Sequence, residues 1–220
     1  MCRSKSTISE AIELCEAWLI LGNKWAEIAR KMEIKGIEIF KNFAFKLEQR
    51  GIKSKNLSFA SDVLDYISFK KLYVLGCVCF EEELHNFKCE DVRALDKTFV
   101  FLFERVDVLM KREFPDRFAK LIFDDRGFQI NNTNSEAITN FFVRSPAGLA
   151  LTSVIKTPLF AISQAHNIGL QLSDFVNYII GSKFSGDVRL EPYWKKLKKS
   201  FYTWDGGTGF RGSSLKILRG

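Results

Sequence analysis

Phe118-Ala119-Lys120-Leu121-Ile122-Phe123-Asp124-Asp125-Arg126-Gly127 is the stretch that decides how this chain is read. Six mostly apolar residues run straight into two carboxylates, an arginine and a glycine. The apolar part is too short for a helix of usual length and reads as a strand. Asp-Asp-Arg-Gly is good turn chemistry, and it closes the strand. Open α/β sheets commonly place their sites at such strand ends, because a side chain there is held rigidly yet reaches solvent. Asp124 is therefore a candidate site residue. The plain reading is that both acids only start a turn.

Working outward, the elements alternate. Apolar residues at Ile8, Ile12, Cys15, Leu19, Ala26 and Ala29 form a helical stripe over Ile8 to Met32. A second helix is predicted from Gly36 to Gln49, with Gly51 as its stop. A third starts at Asn56 or Ser58 and ends near Ile67. Lys71 to Phe80 is bulky and β-branched and reads as a strand buried on both faces. Asp91 to Arg112 is helical, Asn134 to Phe142 is helical, and Ser153 to Ser163 is a strand whose Pro158 indicates an edge or bulge. Helices follow at Asn167 to Ser182 and Glu191 to Tyr202, with a short strand at Leu215 to Leu218. Helices alternating with strands predict an α/β layered fold. No Pro/Gly/Ser-rich linker interrupts 1–220, so a single domain is expected, with 183–220 as a basic helix and tail packed on it.

Composition sets the class. The 220 residues are 46% hydrophobic and 27% charged, ordinary values for a globular protein. The longest apolar run, Leu72 to Phe80, is about half of what a membrane-spanning helix needs. Glu10, Glu13 and Glu16 interrupt the N-terminal region, so no secretory signal is expected there. The five cysteines include Cys77 and Cys79 in one strand-like run. An odd number read this way fits buried, reduced thiols in the cytoplasm.

Net charge is +7, and nine Lys/Arg against three Asp/Glu from Lys183 onward leave only +1 for the rest. Lys195, Lys196, Lys198 and Lys199 interleave with Trp194, Tyr202 and Trp204, a pattern that nucleic-acid binders use. The plain reading is a solvated helix face.

Asp174 is the second candidate acid. Its helix is apolar nearly all round, at Leu170, Leu172, Phe175, Val176, Ile179 and Ile180, so it is largely buried. Asp174 and Gln171 interrupt it and, three apart, share a face. A carboxylate there needs a donor, a cation or a metal. Glu33 and Lys35, just before the second helix, are a third candidate pair; the plain alternative is a surface ion pair. Several carboxylates converging on one place repel each other and call for a hard cation such as Mg²⁺ or Mn²⁺. His166 is read as a structural donor. No phosphate-binding glycine loop and no nucleophilic triad is present.

Together, Glu33-Ile34-Lys35-Gly36, Leu121-Ile122-Phe123-Asp124-Asp125 and Ser163 through Leu170-Gln171-Leu172-Ser173-Asp174 resemble the family called domain of unknown function 3800. The likeness spans roughly residues 10 to 218 and rests on the order and spacing of short motifs. It implies a ribonuclease H-like mixed sheet flanked by helices, and metal-dependent phosphodiester hydrolysis. By that likeness Glu33, Asp124 and Asp174 are catalytic metal ligands for Mg or Mn. Lys35, Asp125, Gln171 and Ser163 support them. Asp125 stands where the family has Glu, and Ser173 where it often has Ala. The family's opening Asp-Glu-Ser-Gly strand is absent. That implies a degenerate, inactive member or a chain truncated at its N-terminus, beginning at the helix that follows the first strands. A sheet short of a strand leaves an edge for a second copy or a partner strand. The alternative to a nuclease is a non-catalytic nucleic-acid-binding or protein-interaction module.

Overall fold

The computed structural model describes residues 3–5, 36–80, 95–162, 167–203 and 214–218. Its elements run β1 (Arg3–Lys5), α1 (Gly36–Ile39), α2 (Asn42–Gln49), α3 (Lys55–Phe69), β2 (Gly76–Cys79), α4 (Lys97–Glu113), β3 (Ala119–Asp124), α5 (Phe128–Arg144), α6 (Pro146–Ala150), β4 (Val154–Ala161), α7 (Ile168–Phe184), α8 (Glu191–Leu197) and β5 (Leu215–Leu218). The protein is mixed α/β. Among the described residues no helix is long and apolar enough to cross a membrane.

Where one domain was expected, the backbone gathers into two compact units. One holds Met1–Ala11, Leu75–Leu170 and Tyr202–Gly220; the other holds Ile12–Val74 and Gln171–Phe201. Neither is continuous in sequence, so no linker marks the boundary between them. The tail from residue 183 is divided likewise, with α8 in the second unit and β5 in the first.

The first unit is built on a sheet of order β1-β3-β4, with β1 antiparallel and β4 parallel to β3. β2 and β5 form a separate parallel pair. In β3 the side chains alternate. Ala119, Leu121 and Phe123 are buried, while Lys120, Ile122 and Asp124 are half-buried. The buried face packs on Leu102, Phe103, Val106 and Met110 of α4 and on Ile138, Phe141 and Phe142 of α5. Phe103 is fully enclosed, stacked 5.3 Å from Phe142 and edge-on to Phe123 at 6.4 Å. Asp107 is the one buried acid of α4. Its carboxylate accepts from the Ser153 backbone N–H at 2.7 Å and pairs with Lys111 at 2.6 Å, which ties the approach to β4 onto α4.

Two sequence expectations change here. Lys71 to Phe80 is not a strand buried on both faces: Val74 makes one isolated bridge, and of Gly76–Cys79 only Gly76 is buried. The chain does not open on a helix, because Arg3–Lys5 already pairs with β3. Three residues are too few to show a period in sequence. The bulge expected at Pro158 is present: the pairing jumps from Lys120 with Ile155 to Ile122 with Leu159. Among the described residues β4 has no neighbour beyond β3.

In the second unit α3 buries Leu57, Phe59, Ala60, Val63, Leu64 and Ile67, and Trp194 and Leu197 of α8 are buried with it. Ser54 caps α3, its Oγ accepting from the Leu57 N–H at 3.4 Å. α7 contributes Leu172, Phe175, Val176, Ile179 and Ile180. The helix expected over Gly36 to Gln49 is broken in two. Phe40 still closes the turn of α1, its N–H donating to Gly36 O at 3.0 Å, and its ring fills an aromatic cluster with Phe45, Phe175, Tyr178 and Tyr193, at centroid distances of 4.9 to 6.3 Å. The chain leaves the helix at Lys41, which is extended at φ −61° and ψ 146°. The helix predicted over Ile8 to Met32 lies outside the described residues.

Phe103→Ala is expected to cost about 3–5 kcal/mol in denaturant unfolding, because it empties the centre of the first unit's core. Phe118→Ala, on a ring 61% exposed, should stay within about 0.5 kcal/mol of the parent. Equal effects would contradict this account of the core.

Candidate functional site

Asp124 ends β3, where the sequence reading placed it. Its register partner Ala161 ends β4, and the next backbone bond, Asp125 N–H to Ala161 O at 3.0 Å, closes the two parallel strands together. The Asp124 side chain is 43% exposed and lies 3.5 Å from Arg126 Nε, a loose surface pair. Its carboxylate is thus held at a rigid strand end and open to solvent.

Asp125 does something different. Its Oδ1 accepts from the Gly127 N–H at 2.7 Å and from Asn131 Nδ2 at 2.6 Å. Asn131 Oδ1 in turn accepts from the Arg126 N–H at 3.0 Å. These bonds lock the turn between β3 and α5. Gly127 has φ +90°, a conformation that favours glycine. The Gly127 N–H, then the Asn131 amide, hold the Asp125 carboxyl below the usual carboxylate range. Asp125 therefore builds the loop beside Asp124. Asn131 and Arg126 were missed in sequence, since only the fold brings Asn131 back over the turn.

Asp174 lies in the second unit, on the exposed stripe of α7 with Asn177 and Gly181. Its Oδ2 accepts from the Gly36 backbone N–H at 2.9 Å. Gly36 opens α1 and is buried against α7; a methyl group there would meet Tyr178 Cγ at 2.7 Å. Only glycine allows this approach. The structure thus brings Asp174 to the last residue of Glu33-Ile34-Lys35-Gly36, two segments 138 residues apart in sequence. Gln171, three residues before Asp174 on the same helix, differs from it in burial: it is buried, while Asp174 is exposed. Buried apolar residues flank the exposed stripe on both sides, and the Gln171 position falls on the inward side of it.

Glu33, Lys35, Ser163 and His166 lie outside the described residues. Asp124 belongs to the first unit and Asp174 to the second. Among the described residues no group of three or more His, Cys, Asp or Glu is placed to hold a metal ion. Cys77 and Cys79 are free thiols, and burial pushes Cys77 up to about 11, so it stays protonated and unreactive at neutral pH.

The lysines of α8 are not a uniform basic face. Lys196 Nζ binds both Asp65 oxygens, at 2.7 and 2.9 Å, and Ser61 Oγ at 2.6 Å. Lys195, Lys198 and Lys199 are exposed. The aromatic residues expected to interleave with them for stacking are in the interior. Trp194 is buried between Phe184 and Phe201, and the buried Tyr202 donates its hydroxyl to Glu113 at 2.6 Å. Apolar burial took both rings, since α8 is anchored through Trp194. Trp204 lies outside the described residues.

No protein-family model, no curated protein and no solved structure matches this chain.

Two outcomes test this geometry. The folded Asp125 carboxyl ionises at lower pH than the unfolded one, so its stabilisation is present above about pH 3.9 and is lost as pH falls through the folded value. In Asn131→Ala, carboxyl NMR titration should find Asp125 moved up toward about 3.9; an unmoved titration would contradict the loop assignment. Gly36→Ala should lower thermal stability, because α1 must retreat from Tyr178, whereas Gly181→Ala, with open space around it, should not.

Proposed function

We propose that the chain is a divergent, metal-dependent, nuclease-like protein acting on phosphodiesters, with Glu33, Asp124 and Asp174 as its acidic residues. The observation that carries this reading is the Gly36 N–H bond to Asp174. It holds Gly36, three residues after Glu33 in sequence, on the acid-bearing helix, as a common site for Glu33 and Asp174 would require. Asp174 keeps its second oxygen, and Asp124 is held only by a loose ion pair, so both carboxylates fit as hard-cation ligands. Mg²⁺ or Mn²⁺, when bound, would supply the charge that activates a water and stabilises the leaving oxygen. The protein's own residues do the positioning: β3 and the Asp125 loop fix Asp124, and Gly36 fixes Asp174. A ribonuclease H-like arrangement belongs to the same proposal and is supported by the parallel pair β3-β4 with an acid at its end. So does a cytoplasmic location, which the free, half-buried Cys77 and Cys79 favour. A second reading, a non-catalytic nucleic-acid-binding module, is favoured by the charge of the second unit. Its described residues carry thirteen Lys/Arg against seven Asp/Glu.

The test is calorimetric. Millimolar Mn²⁺ or Mg²⁺ is expected to raise the melting temperature by about 2–4 °C, the effect of roughly 1 kcal/mol of linked binding on a chain of this size. Asp124→Asn and Asp174→Asn together should abolish the shift. An unchanged parent, or a shift that survives in the double variant, would sink the metal reading.

A further inference from the structure

We infer that α2 and the turn that follows it are a binding surface for single-stranded nucleic acid, with Lys46, Arg50 and Lys53 meeting phosphates and Phe43 stacking on a base. Between Ile39 and Ser61 the chain carries five cations, Lys41, Lys46, Arg50, Lys53 and Lys55, and one acid, Glu48. Glu48 is occupied, its Oε1 accepting from the Ser54 N–H at 2.9 Å. Phe43, Lys46 and Arg50 follow at i, i+3 and i+7, so they stand along one helix face. All three are exposed, Phe43 by 69%. The helix ends through Gly51, at φ +74°, with the Ile52 N–H returning to Leu47 O at 3.0 Å. That turn sets Ile52, 53% exposed, and the exposed Lys53 directly after the cationic face. No ion pair within the described residues engages Lys46, Arg50, Lys53 or Lys55. On α8, by contrast, Lys196 is bound to Asp65 and the neighbouring Trp194 is buried.

A solvated charge run does not account for an aromatic ring left in water among cations. That pairing is what single strands need: cations track the backbone, and every base has a face to stack. A membrane surface fits less well. An interfacial helix must lay its apolar face into lipid, and here that face is spent. Ala44 is 4% exposed and Phe40, just before the helix, 2%. The surface rests on charge and exposure alone and does not require the metal reading.

The experiment uses the full chain, a fluorescein-labelled 20-nucleotide oligo(dT), and EDTA throughout, so that failure here is separate from failure of the metal site. Anisotropy should report binding at low salt, weakening linearly in log–log form as salt rises. Lys46→Glu with Arg50→Glu should cost at least tenfold in affinity and reduce the salt slope by at least about 1.4, at about 0.7 per phosphate contact. Phe43→Ala should cost about tenfold with the slope unchanged, because stacking carries no charge. Lys195→Glu with Lys199→Glu should change both less than the α2 pair does. The proposal is overturned if the parent does not bind, if the α2 pair leaves affinity intact, or if the α8 pair is the one that abolishes it. It is equally overturned if phosphatidylserine–phosphatidylcholine vesicles capture the protein and the oligonucleotide does not.

Discussion

The second unit depends on one close approach. Gly36 lies against Tyr178 with no room for a Cβ, and this lets the first turn of α1 meet the exposed stripe of α7. Two consequences follow from the same contact. The Gly36 N–H, one of the orphan donors at a helix start, finds a carboxylate acceptor in Asp174. Phe40 is delivered one turn later into the rings of Phe175, Tyr178 and Tyr193. That buried ring is worth several kcal/mol, and the helix breaks directly after it, at the extended Lys41.

In the first unit the equivalent constraint is alternation. β3 buries every second side chain against α4 and α5, so Asp124 falls on the less buried set by parity alone. Asp125, one residue on, gives the sheet only its backbone N–H, and its side chain turns back onto its own loop. Two adjacent acids are separated in role by a single peptide: one completes a turn, the other is presented at a strand end.

Much of this was legible in the chain, and the exceptions have physical causes. β3, β5 and α7 are strongly patterned, and the structure has them within about two residues of the sequence reading. The Pro158 bulge was legible because proline cannot donate to a ladder. The break at Lys41 was not, because nothing in Ile-Phe-Lys-Asn-Phe says that the ring before it is held in a cluster with residues far along the chain. Trp194 and Tyr202 misled for a related reason. An aromatic among lysines reads the same whether the ring stacks on a base or fills a core, and only burial separates the two. Asp124 could be placed from the end of an apolar run. The partner of Asp174 could not, since a backbone N–H has no signature in sequence.

The charge of the second unit bears on both functional readings at once. An excess of cations raises the local concentration of a polyanion and opposes the binding of a divalent metal. A site with few carboxylates in such surroundings cannot hold Mg²⁺ tightly by itself. Mg²⁺ sites of this kind are completed by substrate phosphates in addition to one or two protein carboxylates. On the proposed reading, nucleic acid on α2 would reduce the positive field around Asp174, and metal there would reduce the repulsion between the carboxylate and the phosphates. Linkage makes the two effects equal in free energy. The scarcity of acids and the surplus of lysines are then not rival signals. On that reading they describe a unit whose metal affinity would be set by a bound polyanion.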